Sequence, residues 1–165
     1  MLYTELSLKG AYLIELDLRV DERGYFARTF CAQEFAERGL VHQFVQCSTS
    51  FNLHKGLIRG LHYQSAPYQE TKIVRCTQGA IYDVLVDLRI DSPTYKKCYG
   101  VELTASNGKS LYIPKDFAHG FQVLQDNSEV FYMIDTFYVP ESAREISPFS
   151  EEIHSLKWPL PTSNA

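Results

Sequence analysis

The stretch from residue 56 to residue 76, GLIRGLHYQSAPYQETKIVRC, combines ionisable side chains with strand-like aliphatic residues. Its polar members are Arg59, His62, Gln64, Lys72 and Arg75, and they stand among Leu57, Ile58, Leu61, Ile73 and Val74. This pattern predicts strands that turn one face to a core and project polar groups from the other. Gly56, Gly60 and a Ser-Ala-Pro-Tyr loop between the two halves are typical of a bent pair of strands. The polar face therefore predicts the wall of a pocket.

The rest of the chain predicts short strands and one short helix. The helix covers residues 31–38, where Phe35 has helical spacing to its alanine neighbours and Gly39 follows as a C-terminal cap. The further strands are one or two within 3–19, then 25–30, 44–50, 80–89, 99–104, 109–113, 117–124 and 129–138. About ten short strands at regular spacing predict an all-β sandwich or barrel, foremost a jelly roll. The length predicts a single domain over residues 1–165.

Composition and charge narrow the class of protein. The net charge is -4 and no lysine-rich run is present, which argues against a nucleic-acid partner. The first residues have no basic segment followed by an apolar block, and no stretch approaches the length of a membrane span. The sequence therefore predicts a cytoplasmic protein with no membrane partner. The 4 cysteines are widely spaced and contain no C-x-x-C pair, so reduced thiols are expected.

His62 is the leading candidate for a general base, because a neutral imidazole accepts a proton near pH 7. The alternative, a core histidine bonded to the backbone, is about equally plausible for His62 alone. Arg59 and Lys72 favour a functional site, since burying these cations is costly unless an anionic ligand is present. Lys72 is suited to stabilise an oxyanion or enolate, and the alternative is a surface lysine.

A metal site is not predicted, and no cofactor is expected. Metal-binding jelly rolls use an H-x-H pair, but Gln64 stands where the second histidine is needed, and an amide oxygen is a poor transition-metal ligand. His119 could hold a substrate group or serve packing. Tyr132 and Tyr138 are predicted on one strand face, where one phenol could supply a proton opposite His62, unless both are ordinary strand aromatics. Asp83 could orient a histidine.

Several motifs together resemble the dTDP-4-dehydrorhamnose 3,5-epimerase family. They are DERGYF (21–26), RGLHYQ (59–64), K-x-V-R-C (72–76), V-D-L-R-x-x-S-P-T (86–94) and I-P-x-x-F-A-H-G-F (113–121). The similarity extends from residue 10 to Pro159. It implies a cupin-type jelly roll that works as a homodimer without a metal. It also implies epimerisation at C-3 and/or C-5 of a nucleotide diphospho-4-keto-6-deoxy sugar.

The resemblance assigns roles to individual residues. It implies His62 as the base, Lys72 as the enolate stabiliser and Tyr132 as the acid on the opposite face of the sugar. It implies substrate contacts at Arg23, Phe26, Gln46, Arg59 and His119, with part of the site donated by the partner subunit. Ser48 and Tyr138 complete the predicted substrate-binding set. A 3,4-ketoisomerase and a sugar-nucleotide binding protein without turnover remain alternative functions.

The chain also departs from the family pattern. Arg28 replaces a glutamate that contacts the nucleoside, Ser48 replaces an asparagine, and Ala143 replaces an acidic ligand contact. In the family, an aspartate in an S-x-K-D segment partners the catalytic histidine, and that segment would lie beyond Ala165. Asp83 is predicted to take its place beside His62, because strand 80–89 is expected to run next to the strand that carries Lys72.

Overall fold

The computed structural model describes residues 1–153 and 156–161 of the chain. Its strands are β1 (Leu2–Glu5), β2 (Tyr12–Glu15), β3 (Arg19–Asp21), β4 (Gly24–Phe26), β5 (Gln46–Asn52), β6 (Ile58–Gln64), β7 (Lys72–Gln78), β8 (Ala80–Asp87), β9 (Cys98–Thr104), β10 (Lys109–Ile113), β11 (Phe117–Val123), β12 (Ser128–Ile134) and β13 (Ala143–Glu145). The helix α1 covers Ala32–Glu37, and a 3-10 turn covers Pro140–Ser142. Within the described residues, no helix is long and apolar enough to cross a membrane.

The strands form two antiparallel sheets that pack face to face. The six-stranded sheet has the order β1-β2-β10-β7-β12-β5, and the five-stranded sheet has the order β13-β6-β11-β8-β9. The main core lies between them and includes Val74, Leu111, Leu85 and Phe121. Strands β3 and β4 form a separate two-stranded hairpin. The predicted all-β jelly roll with one short helix is confirmed.

Each sheet is also covered on its outer face. The helix residue Phe35 packs with Ile14, Ile73 and Tyr112 on the six-stranded sheet. On the five-stranded sheet, Leu61 and Val84 belong to a second apolar cluster with Ile153, against which Ile146, Leu156 and Trp158 pack. Because Leu61 faces outward into this cluster, its neighbour His62 faces the space between the sheets.

Two glycines bring β6 and β11 unusually close at the point where the predicted site lies. A Cβ on Gly60 would lie 2.7 Å from the carbonyl oxygen of His119, and Gly60 has a φ of +103°, which side chains rarely adopt. A Cβ on Gly120 would collide with the carbonyl oxygen of Arg59. The register also shifts between His119 and Phe121. This close approach sets His62 directly beside His119 in the sheet.

Three sequence predictions about strands are wrong. The strand expected over residues 25–30 is limited to Gly24–Phe26, in the small hairpin. The strand expected over 129–138 ends at Ile134, because the Asp135 carboxylate turns back to accept hydrogen bonds from the Thr71 amide (2.7 Å) and the Thr136 hydroxyl (2.9 Å). Strand β8 does not run beside β7: it pairs with β9 and β11 in the opposite sheet.

Candidate active site

The five-stranded sheet supplies one wall of the site. Strand alternation places His62 of β6, His119 of β11 and Asp83 of β8 on its inner face, the face that also carries Leu85 and Phe121 of the main core. His119 lies opposite His62 in the register of β11 and β6. His62 therefore lies on the sheet face that turns toward the other sheet, although its side chain is still 59% exposed.

The six-stranded sheet supplies the facing wall. Tyr132 of β12 packs against the main core, and Lys72 shares a strand face with the core residues Val74 and Cys76. Gln46 and Ser48 of β5 alternate onto the same inner face, with Ser48 directly opposite Tyr132 and Gln46 opposite Ile134. The predicted base and the predicted acid thus come from opposite sheets.

Side-chain contacts join the two walls. The rings of His119 and Tyr132 meet edge to face with their centroids 5.9 Å apart. Arg59 reaches from β6 to β5, where its Nε donates a hydrogen bond to Asn52 Oδ1 at 2.6 Å. Asn52 is itself fixed, because its amide nitrogen donates to the Ser128 carbonyl at 3.2 Å. These bonds fix the orientation of the Arg59 guanidinium, although Arg59 is an exposed residue.

Lys72 and Glu70 form a nearly buried ion pair. The Lys72 Nζ lies 2.6 Å from Glu70 Oε1, and the two side chains are only 10% and 11% exposed. Gln64 donates from Nε2 to the other carboxylate oxygen of Glu70 at 3.3 Å, and its Oε1 accepts from the Val139 amide at 2.7 Å. This network fixes the ammonium of Lys72 next to Glu70, which lines one cleft together with His62.

Asp83 holds His119, and its predicted pairing with His62 is wrong. Asp83 Oδ1 lies 2.7 Å from His119 Nε2, and both side chains are buried. The pairing was misassigned because β8 borders β11, which carries His119, and not the strand that carries Lys72. Among the described residues, the other oxygen of Asp83 has no hydrogen-bond partner. A catalytic contribution of Asp83 stays a prediction, and it would act through His119.

The environments of His62 and Tyr132 shift their pKa values in opposite directions. Burial lowers the pKa of His62 below its usual 6.5, and Lys72, His119 and Arg59 add to that effect while Glu145 opposes it. Burial raises the pKa of Tyr132 well above 10, and the charge of Asp83 adds to the rise. His62 is therefore neutral and Tyr132 protonated near pH 7, the states that a base and an acid need before reaction.

Comparison with known proteins identifies the family. The family model described as dTDP-4-dehydrorhamnose 3,5-epimerase matches residues 5–165. The chain belongs to this family. It is 44% identical over 141 residues to the dTDP-4-dehydrorhamnose 3,5-epimerase of Shigella flexneri, covering 85% of this chain and 77% of that protein.

Solved structures of the epimerase family share the fold. The dTDP-4-dehydrorhamnose 3,5-epimerase of Bacillus anthracis superposes with a TM-score of 0.93 at 39% identity, over 98% of this chain and 91% of that one. A dTDP-6-deoxy-D-glucose-3,5-epimerase from Legionella pneumophila gives a TM-score of 0.90 at 35% identity, over 98% and 86% of the two chains. The cupin-type jelly roll that the resemblance implies is confirmed.

Tyr138 lies away from the strand face on which the sequence placed it. Because β12 ends at Ile134, Tyr138 follows in a loop and its ring is largely exposed. It nevertheless lines the same cleft as His62, a space of about 320 Å³. The other lining residues are Tyr63, Gln64, Glu70, Ala143 and Arg144. A substrate contact from Tyr138 stays a prediction for this epimerase-family chain.

In the part of the chain that the structure describes, Arg23 and Phe26 have no contact with His62, Lys72 or Tyr132. Both lie on the β3–β4 hairpin, where the Arg23 side chain is 83% exposed and pairs with Asp21 at 2.6 Å. Phe26 is also exposed, and it lines a separate cavity with Arg19, Arg28 and other residues of the N-terminal region. Their contacts with substrate stay predictions.

Three residues near the site were not predicted from the sequence. Asn52 anchors Arg59, Glu70 pairs with Lys72, and Glu145 lies across from His62. Glu70 could have been predicted as a partner of Lys72, because it precedes Lys72 by two residues and a strand would place both on one face. The position of Glu145 depends on the pairing of β13 with β6, and the contact of Asn52 with Arg59 depends on how the two sheets pack. The epimerase motifs encode neither.

Proposed function

We propose that the chain epimerises C-3 and/or C-5 of a nucleotide diphospho-4-keto-6-deoxy sugar through an enolate intermediate. One observation supports this most strongly: His62 and Tyr132 come from facing sheets, and His119 lies next to His62 and contacts the ring of Tyr132. Inversion of a carbon needs a base on one face of the sugar ring and an acid on the other. Two facing walls supply that arrangement, whereas a single wall does not.

In this proposal the ketone at C-4 acidifies the neighbouring C–H bonds. His62 takes the proton from carbon, the electron pair moves to the ketone oxygen, and the ammonium of Lys72 stabilises the enolate. Tyr132 then donates its proton to the opposite face of the carbon. The 2.6 Å bond holds the ammonium of Lys72 next to Glu70, a residue that lines one cleft together with His62.

The nucleotide part of the substrate is supported by the relatives' ligands. The Bacillus anthracis structure holds TDP and PPi, and the Legionella pneumophila structure holds dTDP-4-keto-L-rhamnose. We assign the diphosphate to Arg59 and Arg23. The bond from Arg59 Nε to Asn52 orients the guanidinium, whose terminal nitrogens form the fork that suits phosphate oxygens. His119, Gln46 and Ser48 are assigned to substrate contacts on the inner walls.

A homodimer is the second part of the proposal. The β3–β4 hairpin exposes Val20 (73%) and Phe26 (72%), which is costly for apolar side chains of a soluble surface. In the dimer, this hairpin supplies Arg23 and Phe26 to the site of its partner. Each active site then contains His62, Lys72 and Tyr132 from one subunit.

The function is tested with a panel of dTDP-, CDP- and GDP-linked 4-keto-6-deoxyhexoses in D2O, followed by proton NMR. We expect deuterium at C-3, C-5 or both, with the ketone still at C-4 and the dTDP sugar preferred. A ketone that moves to C-3 would identify a ketoisomerase. Ligand protection in a thermal shift without any deuterium uptake would identify a binding protein and overturn the proposed epimerisation.

A further inference from the structure

Strand β13 brings one acidic residue directly across from His62. The Leu61 amide donates to the Ile146 carbonyl at 3.1 Å, and the Ile146 amide donates back to the Leu61 carbonyl at 2.9 Å. Leu61 and Ile146 are thus a hydrogen-bonded pair, and the next pair in the register is His62 and Glu145. This is a non-hydrogen-bonded pair, in which antiparallel side chains approach most closely.

The side chains of this pair lie within charge-pairing distance. Glu145 Oε2 is 4.0 Å from His62 Nε2, and both side chains are more than half exposed. The other charged or titratable groups that face His62 are Lys72 from β7, His119 from β11 and Arg59 from its own strand. Each of these three disfavours an imidazolium at His62, whereas Glu145 favours it.

The neighbouring carboxylates are engaged elsewhere. Asp83 is bonded to His119 at 2.7 Å, and Glu70 is bonded to Lys72 at 2.6 Å. Both contacts are nearly buried, so neither acid is available to turn toward His62 without breaking a close pair. Glu145 has no comparable short bond among the described contacts of its side chain.

We propose that Glu145 is the positioning carboxylate of His62, which orients the ring and offsets the charge that His62 acquires during proton abstraction. This inference rests on the proposed epimerisation. The proton moves from the sugar carbon to the imidazole, the electron pair of the C–H bond moves into the enolate, and Glu145 remains ionised throughout. It therefore acts on the reaction through His62 and not on the substrate.

The pairing is tested in the free protein, with no substrate present, by NMR titration of the His62 imidazole. In Glu145→Gln the imidazolium loses its counter-ion, so the pKa of His62 is expected to fall relative to the parent, and added salt should shrink the difference. The matched control is Glu141→Gln, which removes the same charge from an exposed position in the preceding 3-10 turn. Equal His62 titrations in the parent and in Glu145→Gln would overturn the proposal.

Activity provides the second readout. At pH 7, kcat/KM for deuterium uptake is expected to fall about two- to fivefold in Glu145→Gln, the range of an exposed ion pair, and Glu145→Asp should retain more activity than Glu145→Gln. The acid limb of the pH profile should move to lower pH together with the NMR titration. If the parent itself shows no uptake, the proposed function fails, and the NMR titration still decides whether Glu145 and His62 are coupled.

Discussion

Asp83 and His119 form a buried pair at the centre of the site, with Asp83 Oδ1 2.7 Å from His119 Nε2. The same imidazole meets the ring of Tyr132 edge to face, so the carboxylate orients the ring that contacts the predicted acid. Asp83, which the sequence analysis paired with His62, thus acts on the contact between His119 and Tyr132.

Asp83→Asn should impair the reaction through His119. The amide is a weaker hydrogen-bond partner for orienting the imidazole than a carboxylate, and a poorly satisfied buried group remains, so we expect a loss of about 1–3 kcal/mol in the free energy of unfolding. Deuterium uptake should fall at least about 10-fold. In a double-mutant cycle with His119→Gln, the effects on uptake should be far from additive. Additive losses would show that the two side chains act independently.

The Lys72–Glu70 pair allows stability and catalysis to be separated. Lys72→Met leaves the Glu70 carboxylate nearly buried without its cation, which should cost up to about 3–5 kcal/mol of stability. Adding Glu70→Gln removes the unpaired charge, so the double variant should recover most of that loss in chemical denaturation. Deuterium uptake should stay abolished in both variants. Recovery of uptake in the double variant would contradict the role of Lys72 at the enolate.

The pH dependence follows from the two shifted groups. His62 must be neutral to act as a base, and its lowered pKa means that activity is lost only as the pH falls below the usual histidine range. Tyr132 must be protonated, and its raised pKa keeps it so through the alkaline range. The profile of kcat/KM for deuterium uptake should therefore be flat from about pH 7 to about pH 9. An acid limb centred above about pH 6.5 would contradict this assignment of the base.

Subunit mixing tests whether Arg23 serves the partner's site. Homodimers of His62→Asn and of Arg23→Ala should each be impaired, but a mixed dimer holds one site with both defects and one intact site. Random mixing should therefore restore about a quarter of the parent's sites. The matched control mixes His62→Asn with Lys72→Met, which should restore nothing because both residues come from one chain. No recovery in the first mixture would place Arg23 outside the partner's site.

The sequence was most informative where local pattern determines structure. Alternation predicted that the polar residues of the stretch 56–64 share one sheet face, and the strand Lys109–Ile113 was predicted with its observed ends. The hairpin that Asn107-Gly108 indicates does not form, because β9 and β10 lie in different sheets. Residue-by-residue pattern could not reveal which strands are neighbours. Asp83 was assigned to the wrong histidine for this reason, since the pairing of β8 with β11 brings together residues 36 positions apart.

The end of β12 at Ile134 could not be predicted either, because it also depends on a contact with a distant segment. The run EVFYMIDTFY has strand composition throughout, but the Asp135 side chain bonds to the Thr71 amide of a distant segment and ends the strand. Tertiary context thus overrides β-propensity and moves Tyr138 into a loop. The same dependence on a distant strand explains why Glu145 was not predicted.

The central claim, a base and an acid on opposite walls, is tested most directly by comparing His62→Asn with Tyr132→Phe on a dTDP-4-keto-6-deoxyhexose in D2O. His62→Asn should show no deuterium uptake at the carbon that the parent inverts, because no group removes its proton. Tyr132→Phe should still exchange that proton, since His62 can return deuterium to the same face, but should form no inverted product. Parent-like uptake in His62→Asn, or inversion in Tyr132→Phe at the parent's rate, would contradict the account.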